Sequence, residues 1–166
     1  MTAGALRERV GPADRVIARL LRTRWLMRAP IPLYRAGLGW MFGQRLVMIE
    51  HRGRVSGRRR FVVVELVAVE RNAVRVASGF GRHSDWYRNI RSNGVAYLSF
   101  GRFRRVRASA RLLAPEESAR RLAQYAAARP VAWRHLHAAM SALQGREPEI
   151  PLVEFGPPRD HPFDAD

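Results

Sequence analysis

HRGRVSGRRRFVVVELVAVERNAVRVAS, residues 51–78, is the stretch whose reading decides the fold. Its centre, Arg60 to Val69, is rich in β-branched residues and reads as a strand. A Gly-punctuated turn, Gly53 to Gly57, precedes it and ties it to a strand over Arg45 to His51. Arg71-Asn72 is a tight turn, and Ala73 to Ser78 is a third strand. Connections of a few residues cannot carry a parallel crossover, so the three strands form an antiparallel meander.

Working downstream, Ser84 is placed to cap a short helix through Trp86, Tyr87, Asn89 and Ile90 that stops near Asn93-Gly94. Strands follow at Val95 to Phe100 and Phe103 to Leu113, joined at Gly101-Arg102. Pro115 with Glu116 and Glu117 opens a helix to Ala128, because proline suits a first turn and carboxylates suit the positive end of the dipole. Another helix runs from Pro130 to Leu143, and Ile150 to Phe155 is a last strand. Upstream, Leu33 to Phe42 reads as a short helix closed by Gly43, after Pro30 and Pro32 end the preceding segment. The expected fold is α+β: an antiparallel barrel of about six strands with interleaved helices, whose closure protects strand edges. Residues 30–155 form this domain, flanked by a helical segment, 1–29, and a frayed tail, 156–166.

The chain has 166 residues, a size for one domain. It lacks cysteine, which excludes disulfides, thiol nucleophiles and cysteine-ligated metals and makes a reducing cytoplasm the default. The formal charge is +16, and every one of the 30 basic residues is Arg, so an anionic partner is expected. No apolar run approaches the ~20 residues that span a bilayer, and the expectation is a soluble or peripheral protein. From Ala13 to Met27, Val16, Ile17, Leu20, Leu21 and Trp25 recur at helical spacing among Arg15, Arg19, Arg22 and Arg24. Such a basic amphipathic helix packs on the domain or on a second copy in a homodimer, or rests on the inner face of the cell membrane.

Residues Arg52 to Arg60 place five Arg, one Ser and two Gly at a hairpin turn, which is an anion cradle in outline. Its spacing is neither that of a Walker loop nor that of a nucleophile elbow. The second cluster, Ala77-Ser78-Gly79-Phe80-Gly81, leaves a strand and runs into His83-Ser84-Asp85-Trp86-Tyr87-Arg88-Asn89. Its glycines allow close approach of a planar ligand to the main chain. Trp86 and Tyr87 either border that ligand or fill the core. His135 and His137, two apart on a helix, diverge by ~200° and cannot share a metal, so no metal site is expected.

The order Gly53-Arg54-x-Ser56-Gly57-x-x-Arg60, then Ala77-Ser78-Gly79, then Trp86-Tyr87-x-Asn89 resembles the deazaflavin-dependent nitroreductase family of coenzyme F-420 oxidoreductases, over roughly residues 30 to 155. The resemblance implies a split β-barrel related to flavin-binding oxidoreductases, and hydride transfer from the reduced 8-hydroxy-5-deazaflavin to a quinone-like or other small organic acceptor. It implies that Arg54, Ser56 and Arg60, with Gly57 and Arg58 of the same turn, meet the coenzyme phosphate or polyglutamate tail. Ala77, Ser78 and Gly79 would lie near the ring, and Trp86 and Asn89 would complete the pocket. Ser78, Tyr87 and His83 are the candidate proton sources. Val55 stands where members often carry a basic residue, and the tyrosine-rich stretch of nitro-reducing members is replaced by Met140-Ser141-Ala142-Leu143, which points away from nitroimidazoles.

Two other readings compete. Basic charge with aromatics such as Trp40 and Phe103 suits single-stranded nucleic acid, but the Arg residues are dispersed and no nucleic-acid module is present. The same cleft could also carry a deazaflavin, flavin or tetrapyrrole without turning it over.

Overall fold

The computed structural model describes residues 29–43, 45–145 and 147–157. Segment 13–27 and residues 158–166 lie outside them. Six antiparallel strands close into a barrel in the order β1-β2-β3-β6-β5-β4. They are β1 (Leu46–Arg52), β2 (Arg59–Glu70), β3 (Ala73–Ala77), β4 (Val95–Phe100), β5 (Phe103–Leu112) and β6 (Leu152–Gly156). Four helices flank it: α1 (Pro30–Arg35), α2 (Asp85–Asn93), α3 (Pro115–Ala128) and α4 (Pro130–Gln144).

Strand alternation assigns the two faces. Val47, Ile49, Leu66, Val74, Val76, Leu98, Phe100, Val153 and Phe155 fill the interior together with Trp86, Tyr87 and Ile90 of α2. Each large apolar side chain removed from water there contributes roughly 1.5 to 3 kcal/mol. On the outside, α3 and α4 cover Val67, Ala77 and Leu152 with Leu122, Tyr125, Leu136 and Met140. Tyr34 of α1 covers Met48 and Val63. The meander is as expected: Leu46 pairs with Glu65 and Arg52 with Arg59 along one continuous register.

Strand limits match the sequence reading within two residues, and the departures have local causes. The segment read as one helix from Leu33 is two pieces, α1 and a 3-10 turn over Gly39–Phe42. Gly37, at φ +83°, ends α1, and Pro30 and Pro32 open that helix instead of ending an earlier one. β6 starts at Leu152 because Pro151 has no N–H to give a ladder. Gly156, assigned to the tail, pairs with Ser109. No helix among the described residues is long and apolar enough to cross a membrane.

Candidate functional site

The turn between β1 and β2 folds on its own backbone. The Gly53 amide donates to Arg58 O (2.9 Å) and the Gly57 amide to Gly53 O (2.8 Å). Gly57 sits at φ +62°, which a side chain would strain, and a Cβ on Gly53 would lie 2.8 Å from Ser56 Oγ. The turn is then seated on α2, where Asn89 Oδ1 accepts the Arg54 amide and Arg54 Nη1, each at 3.0 Å. The same Nη1 reaches Asp85 Oδ1 at 3.1 Å. Arg54 is therefore a clamp between turn and helix as well as a cation.

What the turn leaves open is the informative part. Among the described residues the amides of Val55 and Ser56 donate to nothing, and the guanidinium groups of Arg58 and Arg60 pair with no carboxylate. Unspent amides and forks on one exposed turn are the donors that an oxyanion would need.

Beneath it lies His51, which the sequence reading places at the end of a strand and gives no role in the site. Asn89 Nδ2 donates to His51 Nδ1 at 3.3 Å, so the ring is neutral with its proton on Nε2. Burial, with the nearby charge of Arg60, pushes its pKa down to about 4. Its only sequence cue was its place at the inward-facing end of β1.

The second cluster forms a closed loop. Ser78 is fully buried, its hydroxyl donates to Gly81 O at 2.7 Å, and Ser84 Oγ lies 2.9 Å away. Ser84 begins α2 with extended backbone, but its side chain bonds back to Gly81 O instead of capping the helix. Gln144 Nε2 of α4 donates to Gly79 O and Glu149 O, tying this loop to the far helix. Trp86 and Tyr87 pack edge to face in the barrel interior, and burial raises the Tyr87 pKa. His83 is exposed, with Arg88 Nη2 3.1 Å from its Nδ1. Of the residues that the sequence singles out, Arg54 and Asn89 are in direct contact, and Ser78 touches neither. His137 meets Glu147 at 3.1 Å, away from His135.

A cavity of about 480 Å³ opens between β2 and the junction of α3 with α4. Leu66, Pro130, Val131 and Ala132 give it apolar walls, and Arg45, Arg129 and His135 border it. At its base Tyr125 donates to Glu65 Oε1 at 3.2 Å. Burial raises the Glu65 pKa against the opposing pull of Tyr125, Arg45 and Arg129, and burial beside Glu65 raises that of Tyr125 to about 12. The sequence reading missed this pair, which sits 60 residues apart; the cue was Glu65 interrupting an otherwise apolar strand.

The family model described as F420H(2)-dependent quinone reductase matches residues 27–141, which include the turn, α2, Glu65 and Tyr125. The chain belongs to that family. Membership of the F420H(2)-dependent quinone reductase family makes it an oxidoreductase dependent on coenzyme F420. No curated protein matches the sequence. Among solved structures, a domain-swapped dimer is 20% identical, with 87% of this chain and 99% of that one covered and a TM-score of 0.51. Atu2129 of Agrobacterium tumefaciens, of unknown function, is 15% identical, with 82% and 63% covered and a TM-score of 0.50. F420-H2 dependent reductase FDR-A is 20% identical, with 68% and 95% covered and a TM-score of 0.48. At these identities the first two support the barrel fold alone. The unspent amides and arginines of the turn fit the phosphate and carboxylates of F420.

Proposed function

We propose that this F420-dependent reductase holds the coenzyme through the β1–β2 turn and reduces a quinone-like acceptor in the cavity at Glu65. The observation that carries the coenzyme half is the turn itself. Val55 and Ser56 amides and the Arg58 and Arg60 forks are uncommitted, while Arg54 is already fixed on Asn89. A preoriented turn loses little freedom on binding, so its charged hydrogen bonds translate into affinity. Ser56, Gly57 and Gly53 keep the backbone tight, and Ser78 with Gly79 shapes the loop that the family resemblance sets beside the ring.

Reduced F420, when bound, supplies a hydride, and reduction of a quinone to a quinol takes that hydride and one proton. Apolar walls with cationic borders suit a flat ring bearing carbonyl oxygens. Burial raises the Glu65 pKa and so favours its acid form, and with Oε1 accepting from Tyr125 the carboxyl is the group in this cavity suited to give a proton to the acceptor. This role is assigned to Glu65 in preference to Ser78, whose hydrogen is spent on Gly81, and to Tyr87, which is packed inside the barrel.

The test is a titration with oxidised F420 followed by its absorbance or fluorescence, with FMN and a short RNA as controls, then stopped-flow oxidation of the reduced coenzyme by quinones and nitroaromatics. Micromolar F420 binding with quinone-dependent oxidation supports the reading. Binding without turnover returns the carrier alternative, and binding of RNA alone returns the nucleic-acid one.

A further inference from the structure

The 3-10 turn Gly39–Phe42 packs Phe42 inward and exposes its other two large apolar residues. Trp40 is 64% and Met41 62% exposed, and Leu33 and Leu38 beside them are also open. These are large side chains on a tight protruding turn, held from beneath. Tyr34 stacks on Phe42 with ring centroids 5.4 Å apart and donates to Leu46 O at 2.7 Å.

The tip of the β4–β5 hairpin lies against this turn. The Gly101 amide donates to Gly43 O at 3.3 Å, and the Arg104 guanidinium lies so close to Gly37 that a Cβ there would overlap it. The two segments that make up this corner, 29–49 and 94–110, contain Arg35, Arg45, Arg102, Arg104, Arg105 and Arg107 and no Asp or Glu. The next carboxylate along β1, Glu50, is buried and already neutralised by Arg59 and Arg105. The acid across from Leu46, Glu65, lies in the cavity with Arg45, and an apolar tip bordered by arginines matches the layering of an anionic bilayer surface, with Trp at the headgroup level and Arg on the phosphates. In a symmetric contact a second copy of the chain fits poorly, since it would bring the same arginine-rich corner against this one.

We infer that Trp40 and Met41 form a wedge that seats this corner of the barrel on anionic lipid. The seat is built from the folded domain and is separate from the basic segment 13–27. It would bring the reductase to the phase in which lipophilic acceptors dissolve, but it does not depend on the identity of the acceptor.

The experiment uses the full chain with vesicles of phosphatidylcholine, with and without about 30% phosphatidylglycerol. Partitioning onto the anionic vesicles is expected, reduced by salt and about tenfold weaker in a Trp40→Ser, Met41→Ser variant whose thermal unfolding matches wild type. Brominated acyl chains should quench tryptophan emission in Trp25→Phe but no longer in Trp40→Phe, which gives a reading even where the double variant folds poorly. Wild-type partitioning by the double variant would overturn the inference. So would quenching that depends on Trp25 alone, or an oligomer in vesicle-free buffer that the double variant dissociates.

Discussion

Asn89 and Arg54 are joined twice through one atom, for the Asn89 carboxamide oxygen accepts both the amide and the guanidinium of Arg54 at 3.0 Å. A residue on a helix thereby fixes a turn 35 positions earlier in the chain. Asn89→Ala should leave the barrel folded and weaken F420 binding by ~1 to 3 kcal/mol, roughly fivefold to 150-fold in Kd, since it frees the turn without touching its open donors. An unchanged Kd in the titration would mean that the turn is ordered by other contacts.

Arg58→Ala and Arg60→Ala remove open cations, whereas Arg54→Ala removes a clamp. All three should lose ~1 to 3 kcal/mol of coenzyme affinity. The salt dependence of the Kd should flatten in the first two and change least in Arg54→Ala, whose charge is already shared with Asp85. Titration at two ionic strengths separates them.

Much of this turn was legible in the sequence, because glycines and arginines crowd nine residues between two strands. Its seat was not. Nothing in the spacing of Arg54 and Asn89 tells which helix plugs the barrel, and the 60-residue separation of Glu65 and Tyr125 hides their hydrogen bond in the same way. Conversely, Trp86 and Tyr87 read by themselves more readily as core than as ligand wall, and the structure puts both inside the barrel. Local chemistry is written locally, while partners across the barrel follow only from closure.

Glu65→Gln should lower quinone reduction by ~10² to 10⁴ if its proton is the one transferred, with F420 affinity unchanged. Tyr125→Phe should have a smaller effect and shift the basic limb of the pH profile, because it removes the hydrogen bond that restrains the Glu65 pKa. Normal turnover in Glu65→Gln would move the proton source elsewhere.

His51 makes stability depend on acid. Its folded pKa, about 4, lies below the ordinary histidine value of 6.5, so between those values the unfolded chain takes up a proton that the folded chain refuses. The contribution is complete above about pH 6.5 and lost as pH falls, by about 3 kcal/mol over the whole window. Glu65 runs the other way, since its raised pKa favours the folded state at low pH and loses that advantage as pH climbs. Comparing urea midpoints of wild type and His51→Gln at about pH 7.5, above that window, and about pH 4.5, near its lower end, isolates the histidine contribution. The variant should lose less on acidification.

Gly39→Ala should cost ~1 to 3 kcal/mol by overpacking. The added Cβ would overlap the edge of the Tyr34 ring, and the stacking on Phe42 and the hydrogen bond to Leu46 O stop that ring from retreating. Urea unfolding measures it.

The place of β6 between β3 and β5 has a meaning for biosynthesis. Until residues 152–156 leave the ribosome, the sheet has two ready edges and no means of joining them, and α3 and α4 have only part of the surface they cover. Closure thus waits on one strand of five residues, which turns an open ribbon into a cylinder when it is laid into the gap.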